Sequence, residues 1–354
     1  MLGNRINQAR QSAGLSLRAL AEQAGMSAMA ISKYERGEIT PSSQALLGLA
    51  KALGVRVEYF FRQVQVEIEG VSYRKHPELP ERDKAKVMAE VRDQLERWLE
   101  LESFILTPWA IPFKIPSGLP KRIENLDTLE DVADTVRKAW DLGSSPIPDL
   151  IDTLESRGIK VFVVEFDADK KFDGLSAKAD SKPVVVVGKD WPGDRQRFTL
   201  AHELGHLVLQ GRLAKALNEE RACDRFAGAF LVPKAEVIKA LGNSRTWLEP
   251  QELMLLKHEW GLSMGGWTYR AFNNGILSKP KMSELWQYFR AQGWKEREPD
   301  PQYHGEEARL FKQLVYHALA ENMISESKAA ELLGMSLRQL RACRNMECLD
   351  AIDQ

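Results

Sequence analysis

Apolar positions in the first sixty residues recur at helical spacing, through Ile6 and Ala9, Leu17, Leu20 and Ala21, Ile31 and Tyr34, then Leu46, Leu49, Ala50 and Leu53. Gly14, Gly25, Gly37 and Pro41 interrupt the pattern, which predicts four or five short helices. Ser16 and Ser27 stand where N-caps belong, ready to accept from the first unbonded amides of their helices. SLRALAEQ and SAMAISKYERG are joined by AGM, a turn short enough to set the two helices at a steep angle. In such a pair one helix can lie across a DNA backbone while the other enters the major groove.

The pattern then changes. RQVQVEIEGVSYRKHPELP (62–80) alternates polar and apolar residues and ends in prolines, which predicts an extended linker with room for one strand. Residues 81–105 carry Val87, Val91, Leu95, Trp98 and Leu101 as a helical stripe, fitting an amphipathic spacer or dimer helix. PWAIPFKIPSGLPKR (108–122) is too rich in proline for a regular helix or central strand and predicts a crossing between domains. Helices are expected near 127–140 and 146–157. Strands are expected at 159–166 and 183–188, with FDGLSAKA between them as a third. FTLAHELGHLVL and EERACDRFAGAFLVP then read as two apolar helices. After a break at 298–305, residues 308–343 return to short helices. SESKAAELLGMSLRQL there has a second helix-turn-helix look, and a helical cap or dimerisation bundle is the preferred reading over a second DNA reader.

Composition narrows the class. With 44% hydrophobic and 28% charged residues among 354, the chain can fill two or three cores. It has no apolar run of the roughly 18 residues needed to span a membrane, and MLGNRINQAR lacks the apolar stretch of an export signal. Cys223, Cys343 and Cys348 have no metal-type repeat and fit a reducing compartment, so a cytoplasmic protein is expected. The net charge is −1 overall, but residues 1–61 hold seven basic against four acidic side chains, a local +3 suited to DNA.

LAEQAGMS, SAMAISKYERGEITPS and the closing ALLGLAKALGV and EYFF closely resemble the XRE-family (Cro-type) helix-turn-helix domain over residues 1–61. The resemblance implies that Ser27, Ala28, Met29, Ser32 and Lys33 face base edges, with Arg10, Arg18, Arg36 and Thr40 as phosphate contacts. Ala28 and Met29 are poor hydrogen-bonders, so readout would rest on Lys33 and on apolar contact with thymine methyls. A module that only pairs proteins is the alternative.

HELGH places His202 and His206 at i and i+4 on one helical face, where both imidazoles can reach one ion. Glu203, the next residue after the first histidine, can act on a water without ligating. A catalytic zinc site needs a third protein ligand and an open position. Glu220 and, four residues on, Asp224 resemble the Glu-zincin arrangement, which implies that Glu220 ligates and Asp224 fixes the tautomer of a ligating histidine. Glu219 competes as third ligand; Glu220 is preferred because its i+4 partner is a carboxylate, whereas that of Glu219 is Cys223. Cys223 reads first as a small packing residue and His258 as a packed or surface histidine.

Residues 125–280 resemble the ImmA/IrrE family of zinc metallopeptidases through LEDVADTVRKAWDLGSSPIPDLIDTLESRGIKVFVVE, FDGLSAK, PVVVVG, RQRFTLAHELGHLVL and the second apolar helix, with Cys223 where a small alanine is usual. The resemblance implies a gluzincin-like α+β domain that holds Zn²⁺ through His202, His206 and Glu220. It also implies that Glu203 moves the proton during cleavage of a helix-turn-helix repressor after a stress signal.

The expected fold is multidomain and mostly α. A helix-turn-helix domain (1–61) leads through a linker (62–124) to the α+β peptidase-like domain with a small sheet (125–280) and a helical C-terminal region (281–354). Expected partners are double-stranded operator DNA, a protein substrate that could be a repressor or the chain's own linker, and a second copy as homodimer. The alternative is a non-catalytic antitoxin that represses its own operon and masks a cognate toxin.

Overall fold

Serine hydroxyls open three of the first four helices. The helices are α1 (Leu2–Ser12), α2 (Leu17–Ala24), α3 (Ala28–Glu35) and α4 (Ser43–Leu53). Ser16, Ser27 and Ser42 Oγ accept from the amides of Ala19, Ala30 and Ala45 at 3.1, 3.1 and 3.2 Å. Gly25 closes α2 at φ 63°, a left-handed conformation that lets the chain reverse into α3 within one short turn. Ile6, Leu20, Ile31 and Leu49 are fully buried, and Tyr59 and Phe60 from a 3-10 turn (Val57–Phe61) complete this core. The apolar spacing read along the chain is thus the inner face of a five-element module.

A computed structural model describes residues 2–62, 68–73, 81–105, 112–165, 173–179 and 182–347. Linker residues 63–67 and 74–80, the start of the proline-rich crossing through residue 111, Phe166, Phe172 and Cys348 lie outside the described residues. The chain forms two compact units, one of residues Met1–Ile68, Pro77–Trp109 and Arg309–Gln354, the other of Glu69–His76 and Ala110–Ala308.

In the first unit α5 (Glu81–Phe104) packs on α1. Its stripe of Val87, Val91, Leu95, Trp98 and Leu101 is at most 4% exposed. Arg5 of α1 and Glu96 of α5 form an ion pair, both side chains 1% exposed, and Arg62 reaches Asp93 at 2.7 Å. The helix therefore carries an apolar seam and a charged one, both used.

The second unit is built on a sheet of β1 (Ile68–Tyr73), β2 (Lys160–Val164), β3 (Gly174–Ala179) and β4 (Lys182–Gly188) in the order β1-β3-β4-β2. β4 pairs parallel with β2 and antiparallel with β3, Val161 opposite Val185 and Ser176 opposite Val185 on the other side. The continuous valine run of β4 is buried throughout, as expected for a strand covered on both faces. Two strands are legible as β-branched runs, and a third as the segment FDGLSAKA between them. The fourth comes from the linker, where alternation allowed a strand but no local signal assigned it a sheet.

Around the sheet lie α6 (Thr128–Ala139), α7 (Leu150–Ser156), α8 (Gly193–Leu209), α9 (Glu219–Leu231), α10 (Lys234–Leu241), α11 (Pro250–Trp260), α12 (Met264–Asn273) and α13 (Lys279–Ala291). α8 packs against β3 and β4 on one side and against α9 on another, with α6 behind α9. Glu306 accepts from the amides of Leu150 and Ile151 at 2.8 and 2.9 Å, opening α7, and pairs with buried Arg197 of α8. The last helices, α14 (Leu310–Ala320), α15 (Glu326–Leu332) and α16 (Leu337–Arg344), belong to the first unit and pack on α5 through α14 and α15. The architecture is mostly helical with one small mixed sheet, as the hydrophobic pattern predicts.

Candidate metal centre and nucleic-acid interface

The polar residues of HELGH sit in a helix that is buried almost end to end, His202 and Glu203 at 0% exposure. Such burial is sustained by what faces them. Gly205 lies against α9 so closely that a Cβ there would stand 3.2 Å from Cys223 Cα and 3.2 Å from Phe226 Cδ1. The glycine thus admits the neighbouring helix. The close approach brings the first two turns of α9 opposite the histidines.

α9 opens on Asn218, whose side chain accepts from Arg221 N at 2.9 Å, and this start places Glu219, Glu220, Cys223 and Asp224 near the pair. His202 Nε2 lies 3.4 Å from Glu220 Oε2, and His206 Nε2 lies 3.4 Å from Glu220 Oε1. One carboxylate therefore spans both Nε2 atoms. The opposite ring nitrogens are also held: His202 Nδ1 lies 2.9 Å from Asp224 Oδ1, and His206 Nδ1 lies 3.1 Å from Glu219 Oε1. A carboxylate can only accept, so each Nδ1 that faces Asp224 or Glu219 donates, and Nε2 is the ring nitrogen left for an ion. The two rings are 5.0 Å apart at 69°.

The sequence-predicted site residues His202, Glu203, His206, Glu220 and Asp224 are therefore together, on two packed helices. Sequence reasoning weighed Glu219 only as a ligand; here it backs His206 as Asp224 backs His202. Cys223 Sγ and one nitrogen of each histidine lie within 4.8 Å of one another, so the thiol is also within reach of an ion. Burial, then the carboxylates of Glu219, Glu220, Glu203 and Asp224, push that thiol well above its ordinary range. It is a neutral thiol at neutral pH and packs at 0% exposure. Glu220 is held below the usual carboxylate range by its hydrogen bond to His202 and, further, by the charge of both histidines, against the effect of burial. His258 is exposed beside Tyr303, ring centroids 6.4 Å apart.

The back of α9 is fixed as firmly as the front. Arg270 of α12 pairs with both oxygens of Glu130 of α6, at 2.6 and 2.8 Å, and Arg225 of α9 reaches Glu130 at 3.0 Å. Arg225 follows Asp224 directly, so this buried cluster sets the rotation of α9 and with it the aim of Glu220 and Asp224. Two histidine nitrogens backed by carboxylates and facing a third carboxylate make a donor set suited to Zn²⁺, with imidazole and carboxylate ligands and their supporting hydrogen bonds present.

The nucleic-acid candidates lie at the other unit. Ser27 caps α3, Met29 is 70% exposed at its start, and Ala28, Ser32 and Lys33 are half-buried. Arg18 and Thr40 are exposed, and Arg36 is exposed while paired with Glu38 at 2.6 Å. Arg10 is placed differently from the others. Its guanidinium reaches Glu35 at 2.6 and 3.0 Å and Leu15 O at 3.0 Å, bracing α1 against α3.

Residues 6–60 match the family described as Helix-turn-helix, and residues 154–272 match the family described as IrrE N-terminal-like domain. The chain joins a helix-turn-helix domain to an IrrE N-terminal-like domain. Over 64 residues, 18% of this chain, it is 39% identical to a protein of Rhodospirillum rubrum described as an uncharacterized transcriptional regulator in the ATPase CF(0) region. The chain spans 59% of the length of that relative. The helix-turn-helix match runs from within α1 to within the 3-10 turn, and the IrrE-like match covers the sheet strands β2 to β4 and the whole of the histidine-carboxylate cluster. Among the described residues no helix is long and apolar enough to cross a membrane.

Proposed function

We propose that this chain is a DNA-bound transcriptional regulator whose IrrE-like domain is a zinc-dependent endopeptidase acting on a helix-turn-helix repressor, or on its own linker, in response to stress. The observation that carries this reading is the convergence of both histidine Nε2 atoms on Glu220, with each Nδ1 backed by a carboxylate. His202, His206 and Glu220 would hold the ion. Zinc bound there would supply Lewis acidity and lower the pKa of a bound water toward about 7.

The rest of the chemistry belongs to the chain's own groups. Glu203, buried on α8 between the two histidines in sequence, is the group that accepts a proton from the attacking water and returns it to the leaving amine. Asp224 and Glu219 hold the imidazoles in the tautomer that presents Nε2, so no reorientation is needed when substrate arrives. The apolar packing of α8 and α9 keeps bulk water from the buried side of the site.

The decisive measurement is native mass spectrometry of the purified chain with zinc, followed by incubation with candidate repressors. One zinc per chain and a metal-dependent cleavage product are expected, and Glu203→Gln should keep the zinc while losing cleavage by a factor of about 10² to 10⁴. Zinc binding with no product in wild type or variant, together with a stable complex with a partner protein, would instead make the chain a non-catalytic regulator of the antitoxin kind.

A further inference from the structure

The C-terminal helices repeat the N-terminal DNA-reading pair residue for residue in outline. Ser16, Gly25, Met26 and Ser27 recur at the same intervals as Ser325, Gly334, Met335 and Ser336. In both, the first serine caps the leading helix, the glycine stands at positive φ (63° and 68°), and the second serine caps the following helix. The buried positions also correspond: Leu20, Ala21 and Ile31 in the first copy fall on Ala329, Ala330 and Leu340 in the second, all at most 7% exposed. α14 precedes the second pair as α1 precedes the first, and each is 11 residues long.

The copies differ in charge on the outward face of the second helix. α3 carries one lysine, Lys33, and one glutamate, Glu35, whereas α16 carries Arg338, Arg341 and Arg344 and no acidic residue. The positions of Met29 and Ser32, base-edge candidates in α3, are Arg338 and Arg341 in α16, both exposed. A capping box between Ser336 and Gln339 fixes the start of α16 at 3.1 and 2.7 Å. α15 is the helix committed inward: Lys328 pairs with Glu100 at 2.6 Å, Glu331 with Arg62 at 3.0 Å, and Leu332 O accepts from Arg97 at 3.1 Å. This division of labour, one helix bound to the body and an arginine-rich one presented outward, is that of a groove-reading pair.

We propose that α15 and α16 form a second helix-turn-helix that binds double-stranded DNA through Arg338, Arg341 and Arg344, so that the first unit holds two DNA-contacting modules. The proposal rests on the DNA-binding part of the reading above and is independent of the peptidase part. Glu326 tunes the surface. It pairs with Arg341 and Arg344, so part of the positive charge is neutralised until phosphate displaces it.

The test is binding of the full chain to a mixed-sequence duplex of about 60 base pairs by fluorescence anisotropy across a salt series, where the slope reports the phosphates neutralised. Arg338→Ala/Arg341→Ala/Arg344→Ala, with far-ultraviolet dichroism to show an intact fold, should flatten the slope by about 2 and weaken binding roughly tenfold or more. Glu326→Gln should act in the opposite direction, steepening the slope and tightening binding severalfold. Arg18→Ala/Lys33→Ala, in the first module, should lower the slope independently of the arginine set. If only the first-module variant loses binding, the second module is not a DNA reader while the first stands. A triple variant that alters sedimentation and leaves the slope unchanged makes α16 a dimer face instead. Absence of salt-dependent binding by the wild-type chain overturns both.

Discussion

At the residue scale, the two histidines are held by carboxylates of unequal shelter, and the site should respond unequally to their loss. Asp224 is 34% exposed and pairs with a fully buried ring, whereas Glu219 is 61% exposed and pairs with the more accessible His206. Asp224→Asn should therefore lower zinc affinity by the larger part of the 10- to 100-fold range typical of such supporting groups, roughly, and Glu219→Gln by less. Competition with a chromophoric chelator measures both, and equal losses would show that shelter does not set the contribution. Cys223 separates packing from ligation. If its thiol only fills the space opposite Gly205, Cys223→Ala keeps one zinc per chain with affinity within a few-fold and costs on the order of 1 kcal/mol of stability. A loss of affinity comparable to that of Glu220→Gln would place the thiol among the ligands.

At the scale of elements, the ion pair between Arg5 of α1 and Glu96 of α5 joins those helices with both groups almost wholly removed from water. Arg5→Met leaves Glu96 buried without that countercharge and should cost about 3 to 5 kcal/mol, measured by urea unfolding. Burial already raises the Glu96 pKa while Arg5 lowers it, so the variant pushes it up further. A raised folded-state pKa means the carboxyl's contribution is retained below its unfolded pKa and lost as pH rises through the folded value. The deficit of Arg5→Met should thus be largest near neutrality and shrink toward about pH 4, the ordinary glutamate range. A deficit independent of pH would assign the loss to packing of the arginine stem. These pairs also mark where sequence reasoning stops. Caps, the Gly25 turn and the i, i+4 histidines are local, so their chemistry is written in consecutive residues. Arg10 with Glu35 and Arg5 with Glu96 depend on which helices meet, and an arginine destined for a buried carboxylate reads like one destined for phosphate.

At the scale of the whole molecule, the same distinction governs the C-terminal residues. Their helical periodicity is plain in SESKAAELLGMSLRQL, yet nothing local says that α14 to α16 close the unit begun by α1 to α5, because the contacts that do so join residues far apart in sequence. Phe311 stacks on Trp98 with ring centroids 5.2 Å apart, and Lys328 and Glu331 complete the charged seam of α5 with Glu100 and Arg62. A chain ending at residue 308 would expose that seam and the Trp98 face while leaving every residue of the histidine-carboxylate cluster in place. Calorimetry should then show a transition of the first unit lowered by on the order of 10 °C, since a 1 kcal/mol loss moves a domain of this size by several degrees. Zinc stoichiometry should remain at one per chain, because α8 and α9 draw their support from Glu130, Arg270 and the sheet of the second unit. Loss of zinc from the shortened chain would mean that the metal centre depends on the C-terminal helices, and an unchanged first transition would mean that α5 is stable on α1 alone.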